Sequence, residues 1–278
     1  WNHSGTAATT PASMTAVLNG GVKISQGLAP DSDRHFLMDS VAMAAVVGSV
    51  SAFFHRASEI ERAFSEGFIG QAAGFKWWES NMTPTHTNGS RDDTTPVVDT
   101  STGIVSGTAT ITTTGFDSGK TMKKGDVFTV AEVFAVNEET KQKYSHLQQW
   151  TVTADITLDG TDVLAVSPTP VTTGAKQNIV IENAGAGKVL LSEGANTSGA
   201  ADTTPVQDLA YHRDAFTYVT ADLEMPRGVD FAAREVFDGI SLRVVRNYDI
   251  TNDKFPARID VLYGFKTIRP QWACRVRG

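Results

Sequence analysis

Between Ile104 and Ile181 the chain is a succession of short Val-, Ile- and Thr-rich runs closed by Gly, Pro, Asn or Asp, and this stretch restricts the possible folds most. The runs Ile104–Thr114, Val127–Val136, Gln149–Leu158, Val163–Val166 and Gln177–Ile181 are rich in β-branched residues that suit a pleated surface. They predict a small all-β unit. Before it, Pro30 with Asp31 and Asp33 in a first turn, then Phe36, Leu37, Met38, Val41, Ala44 and Ala45, predicts one helix from Pro30 to Ser51. Ser58 and Glu61, at capping-box spacing, predict a second helix ending near Gly67.

Phe75, Trp77 and Trp78 mark a strand-like stretch read as core, the polar segment Thr83–Thr102 reads as a linker, and a second polar, Gly- and Ala-rich stretch, Gly194–Pro205, closes the β unit. Long strands return at Ala215–Leu223, Ile240–Tyr248 and Arg258–Lys266, with Asn252-Asp253 as a hairpin turn between the last two. The fold class expected is α+β, a body split in sequence around an inserted all-β domain.

With 278 residues the chain can hold one large domain or two modest ones. Its net charge of −7 gives no electrostatic reason to grip DNA or RNA. A single cysteine, Cys274, excludes an internal disulfide framework and reads as a small buried hydrophobe. The longest apolar run, Val41–Phe54, falls short of the roughly 20 residues of a membrane helix. Trp1–Gly20 has no secretory pattern, and a start at Trp1 without Met reads as a fragment or processed product.

No catalytic constellation emerges. Gly119-Lys120-Thr121 resembles the end of a phosphate-binding loop, but Thr114 stands where that loop needs Gly, so a β-turn is expected; Met122–Asp126 reads as a charged hairpin loop. Ser106-Gly107 lacks the preceding Gly of a nucleophile elbow. His3, His35, His55, His86, His146 and His212 are scattered singly, and Asp249, Asn252 and Asp253 lack the ligand pattern of a calcium loop. Glu138-Glu139 and Asp92-Asp93 read as solvated charge. The expectation is therefore no catalytic, cofactor-binding or metal residue, no cofactor and no enzyme activity.

The tail Ala257-Arg258-Ile259-Asp260-Val261-Leu262-Tyr263-Gly264-Phe265-Lys266-Thr267-Ile268-Arg269-Pro270 resembles the C-terminal strand of tailed-phage major capsid proteins of the P22 coat-protein type. Phe68–Phe75 is similar to the segment before that family's insertion domain, and Met122–Phe128, with the polar stretch to Gln149 and the strand from Thr151, is similar to the insertion domain itself. The resemblance implies the HK97-type capsid fold, with axial and peripheral domains plus an inserted β-barrel-like domain. It places the first part of the capsid core in 1–83, the inserted domain in 84–205 and the second part of the core in 206–278. On this resemblance the family's N-terminal arm, extended loop and spine helix are expected to be absent from the stretch given.

The implied function is a structural major capsid protein that self-assembles into the icosahedral shell around the genome of a tailed double-stranded DNA phage. The implied partners are copies of itself in pentamers and hexamers, scaffolding and portal proteins, and packaged DNA by non-specific contact, with no membrane. The implied location is the virion capsid, after assembly in the bacterial host cytoplasm. The alternative is a β-rich phage adhesin or carbohydrate-binding module in which exposed Trp77, Trp78 or Trp150 stacks on sugar rings.

Overall fold

The computed structural model of the chain describes residues 2–5, 9–50, 71–90, 96–101, 103–182, 190–192 and 206–277. They divide into two units, Trp1–Arg213 with Pro270–Gly278 and Asp214–Arg269. Among the described residues the first unit begins with β1 (His3–Ser4), α1 (Met14–Gln26), β2 (Arg34–Met38), α2 (Ser40–Val50), β3 (Gln71–Ala72) and β4 (Phe75–Glu79). There follow β5 (Val97–Val98), β6 (Thr110–Thr114), β7 (Thr121–Met122), β8 (Val127–Val136), β9 (Lys143–Val152), β10 (Ile156–Thr157), β11 (Thr161–Ser167), β12 (Ile179–Ile181) and β13 (Leu190–Ser192). After β14 (Asp208–His212) the chain forms the second unit, β15 (Phe216–Ala221), β16 (Phe231–Phe237), β17 (Ile240–Arg246) and β18 (Ala257–Thr267), and β19 (Ala273–Val276) belongs again to the first.

Alternation builds the first sheet. Arg34, Phe36 and Met38 of β2 are buried while His35 and Leu37 are only partly so, and β14 and β19 repeat the pattern. The six strands run in the order β1-β19-β14-β2-β4-β3, with β2 parallel to β4 and antiparallel to β14. The inward row of Phe36, Met38, Phe75, Trp77, Ala210, Cys274 and Val276 packs with Val17 and Ile24 of α1 and with Ala42, Met43 and Val46 of α2. Phe36 lies between two rings, stacked on Trp77 at 5.3 Å and edge-on to Phe75 at 5.6 Å. Truncating any of these rings costs about 3–5 kcal/mol.

The second sheet has its own core. Its order is β12-β8-β9-β11-β6-β5, with β13 also on β8 and the short pair β10-β7 beside it. Phe128, Val130, Trp150, Val152, Leu164 and Ile179 fill the interior, with Phe128 and Trp150 stacked at 6.0 Å.

Several expectations require correction. Pro30–Ser51 is not one helix but a strand followed by α2. The buried period through Arg34, Phe36 and Met38 is two, and Asp39 starts the helix by accepting the Val41 N–H. Helix α1 went unrecognised because Gly20 and Gly21 are poor helix formers; packing overrides propensity there. Thr83–Thr102 is not a free linker, since it contains β5, whose Val98 is fully buried, and residues that pack on Asp126. The run at Ile104–Thr114 pairs only from Thr110, Gln149–Leu158 spans the end of β9 and β10, and β9 already begins at Lys143 within the stretch read as polar. Trp78 is not core: it stands on the opposite face from Trp77 and is 52% exposed. The helix expected from Ser58 and the segment Gly194–Pro205 lie outside the described residues.

Gly20 is required by close approach, because a Cβ there would stand 2.7 Å from Val276 Cγ2 and 3.5 Å from the Ala210 Cβ. Gly20→Ala is expected to lower unfolding free energy by about 1–2 kcal/mol despite alanine's better helix propensity. Combining it with Val276→Ala should cost less than the sum of the two single changes, as measured by urea unfolding; strict additivity would show that the two groups do not compete for space.

Candidate functional site: a clamped junction and an exposed sheet

The motifs singled out in the sequence serve structure. The Gly119 N–H donates to the Leu158 carbonyl and the Leu158 N–H to the Lys120 carbonyl, so Gly119-Lys120-Thr121 forms a turn entering β7 rather than a phosphate cradle. Ser106 Oγ accepts the Thr172 N–H, and the Asn137 side chain accepts the Glu139 and Thr140 N–H groups. Asp249 accepts from Thr251 and Asn252 and pairs with Lys254 across the hairpin turn. Cys274 lies in the core, where burial pushes its thiol up to about 12.

The histidines are far apart in role. His35 accepts the Trp78 indole N–H at 2.9 Å and stacks on Tyr211, while His212 meets Trp272 edge to face. Among the described residues no three His, Cys, Asp or Glu side chains could hold a metal ion, and no helix is long and apolar enough to cross a membrane. His55, Asp92 and Asp93 lie outside the described residues. Trp77 and Trp150 are fully buried and cannot stack on a sugar.

A polar clamp that motif reading missed lies where the two sheets of the first unit meet. Asp126, read as part of a charged hairpin loop, is completely buried and accepts from His86 Nε2 at 2.8 Å, the Gly89 N–H at 3.0 Å and the Lys123 N–H at 2.9 Å. The strand leading in and the strand leading out run side by side: Thr85 bridges Val206, and the Gln207 N–H donates to the Pro84 carbonyl. Gly89 is needed because a Cβ would fall 2.1 Å from the Thr121 carbonyl oxygen.

Arg275 of β19 closes the clamp, donating to the Gly125 carbonyl at 3.0 Å, the Gln207 side-chain oxygen at 3.4 Å and Thr151 Oγ1 at 3.4 Å. Burial draws its guanidinium down to about 10, which leaves it charged near neutral pH. The only sequence signal was local, a Gly-Asp step directly before an apolar strand. Arg275→Met keeps the stem but removes the donors, and is expected to speed trypsin cleavage at the exposed Lys123-Lys124 turn at least tenfold; an unchanged rate would show that the turn is held without Arg275.

A second buried carboxylate joins β14 to α2. Asp208 Oδ1 accepts the Asp39 N–H at 2.8 Å, and burial, opposed by that hydrogen bond and assisted by the Asp39 charge, pushes its carboxyl up to about 6 from 3.8. Because the folded value is raised, Asp208's contribution to stability is fully present below about pH 4 and is lost as pH rises through about 6. Asp208→Asn is therefore expected to gain about 1–2 kcal/mol over the native chain at pH 7.5 and nothing at pH 4, by thermal unfolding at both pH values.

The second unit carries a surface of a different kind. Its strands run β15-β18-β17-β16, all antiparallel, and successive residues such as Tyr218 and Val219, or Leu262 and Tyr263, are exposed together, so apolar groups lie on both faces. Phe237, Phe265 and Ile250 are 80%, 81% and 85% exposed. The sheet is held by its ladder, by the Tyr218–Tyr263 stack at 6.0 Å and by ion pairs such as Arg243–Asp260 and Arg246–Asp230.

Three comparisons place the chain among known proteins. Residues 19–275 match the model of a family described as P22 coat protein, gene protein 5. No curated protein matches the chain. Among solved structures it is similar to the CUS-3 coat protein I-domain, with 24% identity over 40% of this chain and 97% of that one, at a TM-score of 0.22.

Proposed function

The chain belongs to the P22 coat protein family, and from that premise we propose that it is the major capsid protein that self-assembles into the icosahedral shell around the genome of a tailed double-stranded DNA phage. It is a structural coat protein of the virion. The observation that carries the finer reading is the four-stranded sheet of Asp214–Arg269, which exposes apolar side chains on both faces. A stable protein contact buries about 800 Å² on each partner, and a subunit that meets many copies of itself needs such surfaces ready on the monomer. Rings of five and six then follow from closing one kind of contact around a rotation axis.

In this reading 1–83 and 206–278 make the peripheral and axial parts of an HK97-type subunit and 84–205 make the inserted β-barrel-like domain. The division is supported by the strand origins: the six-stranded sheet draws on both ends of the chain, whereas the seven-stranded sheet draws only on residues between Val97 and Ser192. Scaffolding and portal proteins are the assembly partners, and assembly takes place in the bacterial host cytoplasm. A net charge of −7 suits a shell that touches its DNA only non-specifically and must release it.

The test is assembly from the complete reading frame with and without a scaffolding protein, followed by electron microscopy and light scattering. The native sequence is expected to give closed shells of uniform diameter. The pair Phe237→Asp and Phe265→Asp should keep the native circular dichroism and leave monomers. Shells from the double variant would remove the sheet from the contact, and folded native monomers under all conditions would remove the shell reading.

A further inference from the structure

The joint between the two sheets of the first unit contains two histidines set against cations. His146 of β9 is half-buried in a cleft of about 50 Å³, room for a few waters, lined also by Lys23 and Gln26 of α1 and by Tyr144 and Asn178. The Tyr144 ring stacks on it at 5.2 Å, and the Tyr144 hydroxyl donates to the Gln26 carbonyl at 3.1 Å, so the imidazole is held against the end of α1. His3 of β1 is buried nearby in the same joint, and its backbone N–H donates to the Gln149 side-chain oxygen of β9 at 3.0 Å.

The charges facing these rings are mostly positive. Lys23 of α1 faces both; Arg275 of β19 and Arg277 just beyond it face His3. On the negative side, Glu138 lines the His146 cleft and Asp126 acts on Arg275. Burial first, and these cations second, push His3 down to about 3 and His146 down to about 4 from the ordinary 6.5.

We propose that this joint is an acid-operated hinge: as pH falls, protonation of His146 and His3 favours a state in which the seven-stranded sheet has lifted from the end of α1 and from β1, while both hydrophobic cores stay folded. Each core is closed by its own residues, Phe36 with Trp77 in one and Phe128 with Trp150 in the other, whereas the joint is made of polar contacts that water can replace. In the open state both rings meet water and recover their ordinary basicity. Closure is then strongest above about pH 6.5 and weakens as pH falls toward the depressed values of the closed state. Two protons taken up on opening make the opening constant rise up to about a hundredfold per pH unit below pH 6, and one proton makes it rise about tenfold. Asp208 keeps its surroundings in both states, so its titration cancels. The hinge does not depend on whether the chain builds shells.

The experiment is amide hydrogen exchange on the full chain from pH 6.5 to pH 5, corrected for intrinsic exchange rates. The His3 N–H, which bonds across the joint to Gln149, is expected to show an opening constant that climbs nearly a hundredfold per pH unit, while peptides from β2, β8 and β9 keep their protection. His146→Gln should reduce the climb to about tenfold per unit. His146→Phe, which keeps an aromatic partner for Tyr144, should do the same, and agreement of the two variants separates loss of the proton from loss of packing. A native joint whose opening does not change with pH, equal slopes in the native chain and both variants, or cores that lose protection together with the joint would each overturn the proposal.

Discussion

The pairing of β14 with β2 is the constraint on which the first unit depends. It joins residues far apart in sequence, with Asp39 and Asp208 in hydrogen-bond contact across 169 positions, and the closure entropy must be recovered at that one seam. Recovery comes from burying one side of the paired strands. Phe36, Met38 and Ala210 face the same core as Trp77 and Cys274, so the pairing that closes the chain also completes an apolar layer beneath α1. A one-residue slip would turn Phe36 and Met38 outward and present His35 and Leu37 to the core, which makes the register strongly specified. The cost at this seam is local: Asp208 sits buried beside the Asp39 backbone because β14 must lie there for the hydrophobic row to align.

The seven-stranded sheet is fastened to that framework by another kind of force. Asp126, His86, Gly89 and Arg275 make a compact set of directional bonds, three of them to backbone groups. Buried polar contacts of this sort add little net stability compared with apolar packing, but they penalise every misaligned arrangement heavily because a buried carboxyl group then loses its donors. The clamp thus sets orientation more than strength. Strength resides in the two cores, and the polar joint between them is where solvent conditions act.

The second unit inverts this economy. Among the described residues its sheet is held along its ladder and by Arg–Asp pairs, and large side chains are exposed on both sides. Such a sheet suits a coat-family subunit, in which another protein surface can cover exposed apolar side chains.

Local chemistry determined a good part of this protein from the sequence alone. The span Val127–Val136 was legible residue for residue, and the strands near Ala215–Leu223, Ile240–Tyr248 and Arg258–Lys266 to within a few residues, because β-branched and aromatic composition bounded by turn residues acts within a single element. The turns at Gly119 and Asn252-Asp253 and the inert thiol of Cys274 were legible for the same reason. Arg34–Met38 was misread because a short apolar run satisfies helix and strand patterns equally, and only its partners β4 and β14 select the strand. Helix α1 escaped notice because Gly20 is chosen by Val276, a residue at the other end of the chain. The clamp at Asp126 was illegible for a related reason: its partners His86 and Gly89 are meaningful only after the fold has brought them within 3 Å. Tertiary structure alone decided which carboxylate is buried, which tryptophan is exposed and which histidines face cations, since burial and charge environment are properties of contacts between distant segments rather than of any segment itself.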